Sequence, residues 1–135
     1  MKIGVKQLVD QAMNEIETLD LAQARAALDD PATQIVDLRD IRELQRDGKI
    51  PGAFHAPRGM LEFWVDPDSE YHRDLFSSGK RFVFYCAKGH RSALATQQVQ
   101  RMGLAPVCHI GGGFEAWTQA GLPVGRKDLI AAIKR

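Results

Sequence analysis

A chain of 135 residues, 44% hydrophobic and 26% charged, has the size and make-up of one globular domain with a core that needs no disulfide or metal staple. Eighteen Lys and Arg against 17 Asp and Glu leave a net charge of +1, so no global field draws the chain to nucleic acid or a membrane. No apolar run approaches the roughly 18 residues of a spanning helix, and the N-terminus lacks the apolar block of a secretory signal. Cys86 and Cys108 lie too far apart for a C-x-x-C motif, so a cytoplasmic chain with free thiols is the expectation.

Val5, Leu8, Val9, Ala12 and Met13 share one face at helical spacing and predict an N-terminal helix on the domain edge. Ile16 and Leu19 alternate with polar residues as in a short strand. Asp20 is placed to cap a helix over Leu21–Leu28, which Asp29-Asp30-Pro31 stops. Gln34–Leu38 reads as a buried strand. Asp40 with Glu43 forms a capping-box pattern for the next helix, with Ile41 and Leu44 facing inward and Gly48 at its end. A turn at Ile50-Pro51-Gly52 leads to a strand over Ala53–Ala56. Met60–Trp64 predicts a short helix, and Glu70–Phe76 another turn or two.

Phe82-Val83-Phe84-Tyr85 is an apolar run ending on Cys86. Ala87-Lys88-Gly89-His90-Arg91 follows, and Ser92 is placed to cap a helix reaching Met102, which Gly103 stops. Pro106–Ile110 is the last expected strand. Phe114–Ala120 reads as a helix after three glycines, and Asp128–Lys134 as a terminal one. Strands alternating with helices predict a single α/β domain, a parallel sheet covered on both faces. Its expected parts are a helical extension at 1–19, a core at 20–124 and a C-terminal helix at 125–135.

Cys86 sits where a parallel sheet places its ligands, beyond the carboxyl end of a strand. A short loop can turn successive N–H groups into one concavity, and Gly89 permits the curl. The following helix adds its positive end, and Lys88 and Arg91 add full charges. All of these favour thiolate over thiol and draw an anionic substrate toward it.

At these residues the sequence resembles the rhodanese family of sulfurtransferase domains, over roughly Asp20 to Val124. Four segments carry the likeness: Val36-Asp37-Leu38-Arg39 with Glu43; Gly48-Lys49-Ile50-Pro51-Gly52-Ala53, with Lys49 where the family has His; Cys86–Ser92; and Gly112-Gly113-Phe114 with Trp117, then Gly121-Leu122-Pro123. The resemblance implies a five-stranded parallel sheet flanked by helices on both faces. It implies that Cys86 is a nucleophile that takes sulfur from thiosulfate or a similar small anionic donor. The resulting persulfide would pass its sulfur to cyanide or a thiol, such as that of a thioredoxin-like protein. Ala87, Lys88, Gly89, His90 and Arg91 would bind the substrate: backbone N–H groups cradle the persulfide, and Lys88 and Arg91 orient the donor. No metal, organic cofactor, nucleic acid or membrane enters this chemistry.

Asp37, Arg39 and Ser92 are expected to support the site from behind, with Arg39 and Glu43 as a structural ion pair. Phe63 and Trp64 either wall the donor pocket or pack as core. Cys108 and His109 lie in an apolar strand, where metal ligation is not expected. Two rivals remain: a sulfur-carrier or regulatory module docking on a partner, and a dual-specificity-type phosphatase. The phosphatase pattern is C-x5-R, whereas Cys86 to Arg91 is C-x4-R, a smaller cradle.

Overall fold

The computed structural model describes residues 1–126. Five strands form one sheet: β1 (Glu17–Leu19), β2 (Thr33–Asp37), β3 (Phe54–His55), β4 (Arg81–Tyr85) and β5 (Val107–Ile110). Their order is β1-β5-β4-β2-β3 and every pairing is parallel. The helices among the described residues are α1 (Val5–Glu15), α2 (Leu21–Leu28), α3 (Ile41–Asp47), α4 (Leu61–Val65), α5 (His90–Met102) and α6 (Gly113–Gln119), with 3-10 turns at Arg58–Met60 and Asp74–Ser77. This is the expected α/β architecture. The helix expected over Asp128–Lys134 lies outside the described residues.

β4 runs through the middle of the sheet and shows why it forms. Val83 and Tyr85 point into one layer, with Leu19, Ile35, Ile110 and Trp117. Phe82 and Phe84 point into the other, with Val36, Leu61, Ala95 and Val99. A strand buried on both faces reads as an unbroken apolar run. Parallel strands require crossovers, and helices supply them: α2 and α6 bring residues to the first layer, α4 and α5 to the second. No helix among the described residues is long and apolar enough to cross a membrane.

Several helix ends are set by the residues read from sequence. Asp20 accepts from the Gln23 N–H at 2.8 Å, and the Gln23 side chain accepts in return from the Asp20 N–H. Asp40 and Glu43 make the second capping box. Such caps contribute about 1 kcal/mol each. Gly103 closes α5 in the left-handed conformation.

The structure also corrects local readings. Ile41 is 36% exposed, and Leu44 alone of the expected pair is buried, because α3 has only two turns to present. Glu70–Phe76 is helical only from Asp74. The first 19 residues are not simply a helical extension: Glu17–Leu19 pairs with β5 as the sheet's edge strand, and α1 lies against α5, where Gln100 Nε2 donates to the Glu15 carbonyl at 2.9 Å. Beyond α6 the chain turns back along Lys49, whose N–H and C=O bond Gly125 at 3.0 and 2.8 Å.

Candidate active site

Three strand ends meet at the carboxyl edge of the sheet, those of β2, β4 and β5. Cys86 is the first residue past β4, followed by the loop Ala87-Lys88-Gly89 and the first turn of α5. The loop closes tightly, since Gly89 takes φ 96°, a conformation that a side chain would strain. Helix α5 therefore begins at His90 with Gly89 as its cap. Ser92 is the third helical residue, not the cap expected from sequence, because the loop is already closed three residues earlier, at Gly89.

The curl puts the Cys86 sulfur, 1% exposed, under the helix N-terminus. Sγ accepts from the backbone N–H of Gly89 and of Ser92, both at 3.3 Å, and lies 3.6 Å from Ser92 Oγ. Two backbone N–H groups and the positive end of α5 thus point at the sulfur. The amides of Ala87, Lys88, His90 and Arg91 make no hydrogen bond among the described residues, and Lys88 and His90 are exposed.

The loop's carbonyls are held from outside. Phe114 N–H donates to the Cys86 carbonyl at 2.8 Å and Glu115 N–H to the Ala87 carbonyl at 3.0 Å. These donors are the opening amides of α6, and they come this close only because Gly113 lacks a side chain. A Cβ there would collide with the Cys86 carbonyl oxygen and sit 2.7 Å from that of Ala87. The glycines before Phe114 thus serve the cysteine loop directly.

Arg91 points across the loop to α3. Its guanidinium donates to Glu43 Oε1 at 2.8 Å and Oε2 at 3.0 Å. The pair holds Glu43 below the usual carboxylate range, chiefly through the Arg91 hydrogen bond, and raises Arg91 in return. Arg39, the partner expected for Glu43, is elsewhere. It is 1% exposed and grips Asp37, with Nη2 to Oδ2 at 2.8 Å and Nε to Oδ1 at 3.1 Å. The two basic residues exchange roles because Asp37 ends β2 beside the folded-back Arg39, whereas Glu43, on α3, faces the Cys86 loop.

Asp37 supports the site at one remove. Its carboxylate also accepts from Tyr85 Oη at 2.6 Å, and burial together with that carboxylate pushes the Tyr85 phenol well above 10. The Arg39 guanidinium lies 4.2 Å from the Phe114 ring centre. Since Phe114 N–H holds the Cys86 carbonyl, the buried ion pair backs the residue that fixes the loop. Sequence reasoning missed Tyr85, whose signal was a lone hydroxyl in an otherwise apolar run.

It also set His109 aside, having weighed it only as a metal ligand. This residue is 1% exposed on β5, on the α5 side of the sheet. Nδ1 lies 2.9 Å from Ser92 Oγ and Nε2 lies 3.0 Å from Thr18 Oγ1. Burial lowers its pKa to about 4. A histidine amid the apolar Val107-Cys108-His109-Ile110 was the available signal. Cys108 faces the opposite layer, is not disulfide-bonded, and is raised to about 11 by burial, so it is an inert thiol.

Phe63 and Trp64 pack within their own neighbourhood: Phe63 is edge-on to Tyr71, and Trp64 is edge-on to Phe54 with Arg73 over its face. A cavity of about 420 Å³ adjoins the loop instead, lined by Arg39, Glu43, Ala87, Phe114 and Arg126 among others.

An α/β domain that delivers a buried thiol into a six-residue basic loop at a helix N-terminus is built to hold negative charge on sulfur. Residues 20–120 match the model of the rhodanese-like domain, and the chain belongs to that family. The solved structure of a protein of unknown function from Rhodopseudomonas palustris, described as a possible tyrosine phosphatase, is similar with a TM-score of 0.90 and 53% identity, over 93% of this chain and 96% of that one. The thiosulfate sulfurtransferase GlpE of Vibrio cholerae is 26% identical over 83% of this chain and 97% of its own length. A tRNA uridine(34) hydroxylase of Escherichia coli is 29% identical over 90% of this chain. The chain spans only 35% of that hydroxylase, and 46% of an uncharacterized Synechocystis relative.

Proposed function

We propose that this domain is a sulfurtransferase that carries sulfane sulfur as a persulfide on Cys86. The observation that carries the reading is the closed six-residue loop, with two N–H groups on Sγ and an arginine at its far end. The Cys86 thiolate attacks the outer sulfur of thiosulfate. A new S–S bond forms at Cys86, the donor's S–S bond breaks, and its electron pair leaves with sulfite. Cyanide or a thiol acceptor, a thioredoxin-like protein among them, then attacks the outer sulfur and regenerates the thiolate. The cradle serves both states, because its donors meet sulfur in either.

A phosphatase reading draws on the description of the R. palustris structure. The loop length opposes it: Cys86 to Arg91 is C-x4-R, one residue shorter than C-x5-R, so fewer backbone amides are available to surround a phosphate. The sulfurtransferase reading also suits the GlpE likeness, and a cytoplasmic location suits a free, reactive thiol.

The test is incubation with thiosulfate followed by mass measurement. A gain of one sulfur atom on Cys86, reversed by a reductant and matched by thiocyanate release with cyanide, is expected, and Cys86→Ser should abolish both. Hydrolysis of a phosphate ester without a sulfur adduct would sink the proposal.

A further inference from the structure

The Cys86 sulfur is connected to the exposed edge strand β1 by a line of groups, buried at Ser92 and His109, that sulfur transfer itself does not use. Sγ lies 3.6 Å from Ser92 Oγ, Ser92 Oγ 2.9 Å from His109 Nδ1, His109 Nε2 3.0 Å from Thr18 Oγ1, and Thr18 Oγ1 3.8 Å from Met13 Sδ. Ser92 and His109 are each 1% exposed or less, whereas Thr18 lies exposed on the edge strand. Each hydroxyl has one proton and accepts through its oxygen, and a neutral imidazole donates from one nitrogen and accepts at the other. Such a line can be fully satisfied in two opposite directions.

We propose that Cys86, Ser92, His109 and Thr18 form a hydrogen-bonded chain whose polarity reverses when Cys86 ionises, and that His109 is the positioning residue that turns the Ser92 hydroxyl onto the thiolate. The proposal rests on the reading that Cys86 reacts as a thiolate. In the thiol form, Sγ–H donates to Ser92 Oγ, the Ser92 hydroxyl to His109 Nδ1, His109 Nε2–H to Thr18 Oγ1, and the Thr18 hydroxyl to Met13 Sδ. In the thiolate form, the Thr18 hydroxyl donates to Nε2, Nδ1–H to Ser92 Oγ, and the Ser92 hydroxyl to the sulfur anion. Going from the first form to the second shifts one proton across every link. One proton leaves from Thr18 to water or a buffer base, and no electrons change hands. Ionisation thus releases its proton on the edge-strand side, while the loop mouth is left to the donor.

The sulfur anion then has three donors, the N–H groups of Gly89 and Ser92 and the Ser92 hydroxyl. Only the third can be redirected, because backbone amides are fixed. His109 must be neutral for the line to run both ways, since an imidazolium would donate from both nitrogens. Burial keeps it neutral near pH 7.

The experiment follows alkylation of Cys86 by iodoacetamide at fixed neutral pH, with mass detection, on the full chain. Ser92→Ala and His109→Leu are each expected to slow it about tenfold, the effect of one hydrogen bond to a charged group. The double variant should be no slower than Ser92→Ala alone, because the two act through one hydroxyl. His109→Asn keeps an N–H near the place of Nδ1–H and should recover most of the rate. The ultraviolet thiolate absorbance should fall and recover in parallel, which a merely structural role would not produce. A folded His109→Leu that alkylates at the parent rate, or an additive double variant, overturns the proposal. If His109→Leu does not fold, Thr18→Val on the exposed edge decides: a parent rate there, with Ser92→Ala slowed, breaks the chain beyond Ser92. Alkylation needs no sulfur donor, so failure to transfer sulfur leaves this result standing, and sulfur transfer with His109-independent alkylation removes the chain but keeps the proposed function.

Discussion

Acid should destabilise this fold most through one buried residue. His109 binds a proton near 6.5 when unfolded and only near about 4 when folded, because burial disfavours the imidazolium. Between those values unfolding takes up a proton, so the share of stability that depends on neutral His109 is complete above about pH 6.5 and is lost as pH falls toward about 4. At about 1.4 kcal/mol per pH unit the whole interval corresponds to roughly 3 kcal/mol, most of it gone by about pH 4.5. That is a large fraction of the roughly 5–15 kcal/mol holding a typical domain. Glu43, held down by Arg91, acts in the same direction, but its share is lost below the ordinary carboxylate value of 4.5. Urea unfolding followed by tryptophan fluorescence, from neutral to mildly acidic pH, measures the slope. His109→Asn should start less stable yet lose roughly 2 kcal/mol less over the same range. An equal acid slope in the two proteins would refute the reasoning, because every other group is common to both.

Asp37→Asn leaves the buried Arg39 guanidinium without its counter-charge and should cost about 3–5 kcal/mol of unfolding free energy. A loss below about 1 kcal/mol would mean that water reaches Arg39. Gly113→Ala combines left-handed strain of about 1–2 kcal/mol with loss of the two loop-fixing hydrogen bonds at about 1 kcal/mol each. It should therefore lose about 3 kcal/mol by urea titration and also slow Cys86 alkylation; intact alkylation would show that α6 does not shape the loop. Arg91→Ala should lower kcat/KM for thiosulfate while changing stability by under about 1 kcal/mol, the range of a partly exposed ion pair. Unchanged kinetics would remove Arg91 from the site.

How much of this was legible in the sequence depended on whether a signal was local. The alternation of strands and helices, the caps at Asp20 and Asp40 and the position of Cys86 are written within a few residues and were readable. The partners of Arg39 and Glu43 were not. Their opposite charges and closeness in sequence suggested a pair, but the fold brings Arg91, 48 positions away, to Glu43. Ser92 looked like a helix cap because caps are read by residue type, whereas the left-handed Gly89 had already closed the turn. His109 was dismissed because an apolar strand gives no hint of Thr18, 91 residues earlier, lying beside it in parallel register. Registers between distant strands, and the side-chain pairs they create, are the part that periodicity cannot supply.

The loop is fixed asymmetrically, and this bears on its chemistry. Its carbonyls at Cys86 and Ala87 are bound by α6, while the amides at Ala87, Lys88, His90 and Arg91 have no partner among the described residues. A loop held by its acceptors keeps its donors for a ligand, and donors fixed before the charge arrives need no reorganisation when it does. The supporting chain is hydrogen-bonded in part and packed in part: Asp37 holds Arg39, Arg39 lies on Phe114, and the Phe114 amide holds the Cys86 carbonyl. The chain joins three strand ends, Asp37 and Arg39 at β2, Phe114 past β5 and Cys86 past β4, so the Val-Asp-Leu-Arg and Gly-Gly-Phe segments act on the cysteine without touching its sulfur. A substitution at either segment should therefore reach the thiolate through the loop's shape, which is why Asp37→Asn and Gly113→Ala belong beside Cys86→Ser when the site is taken apart.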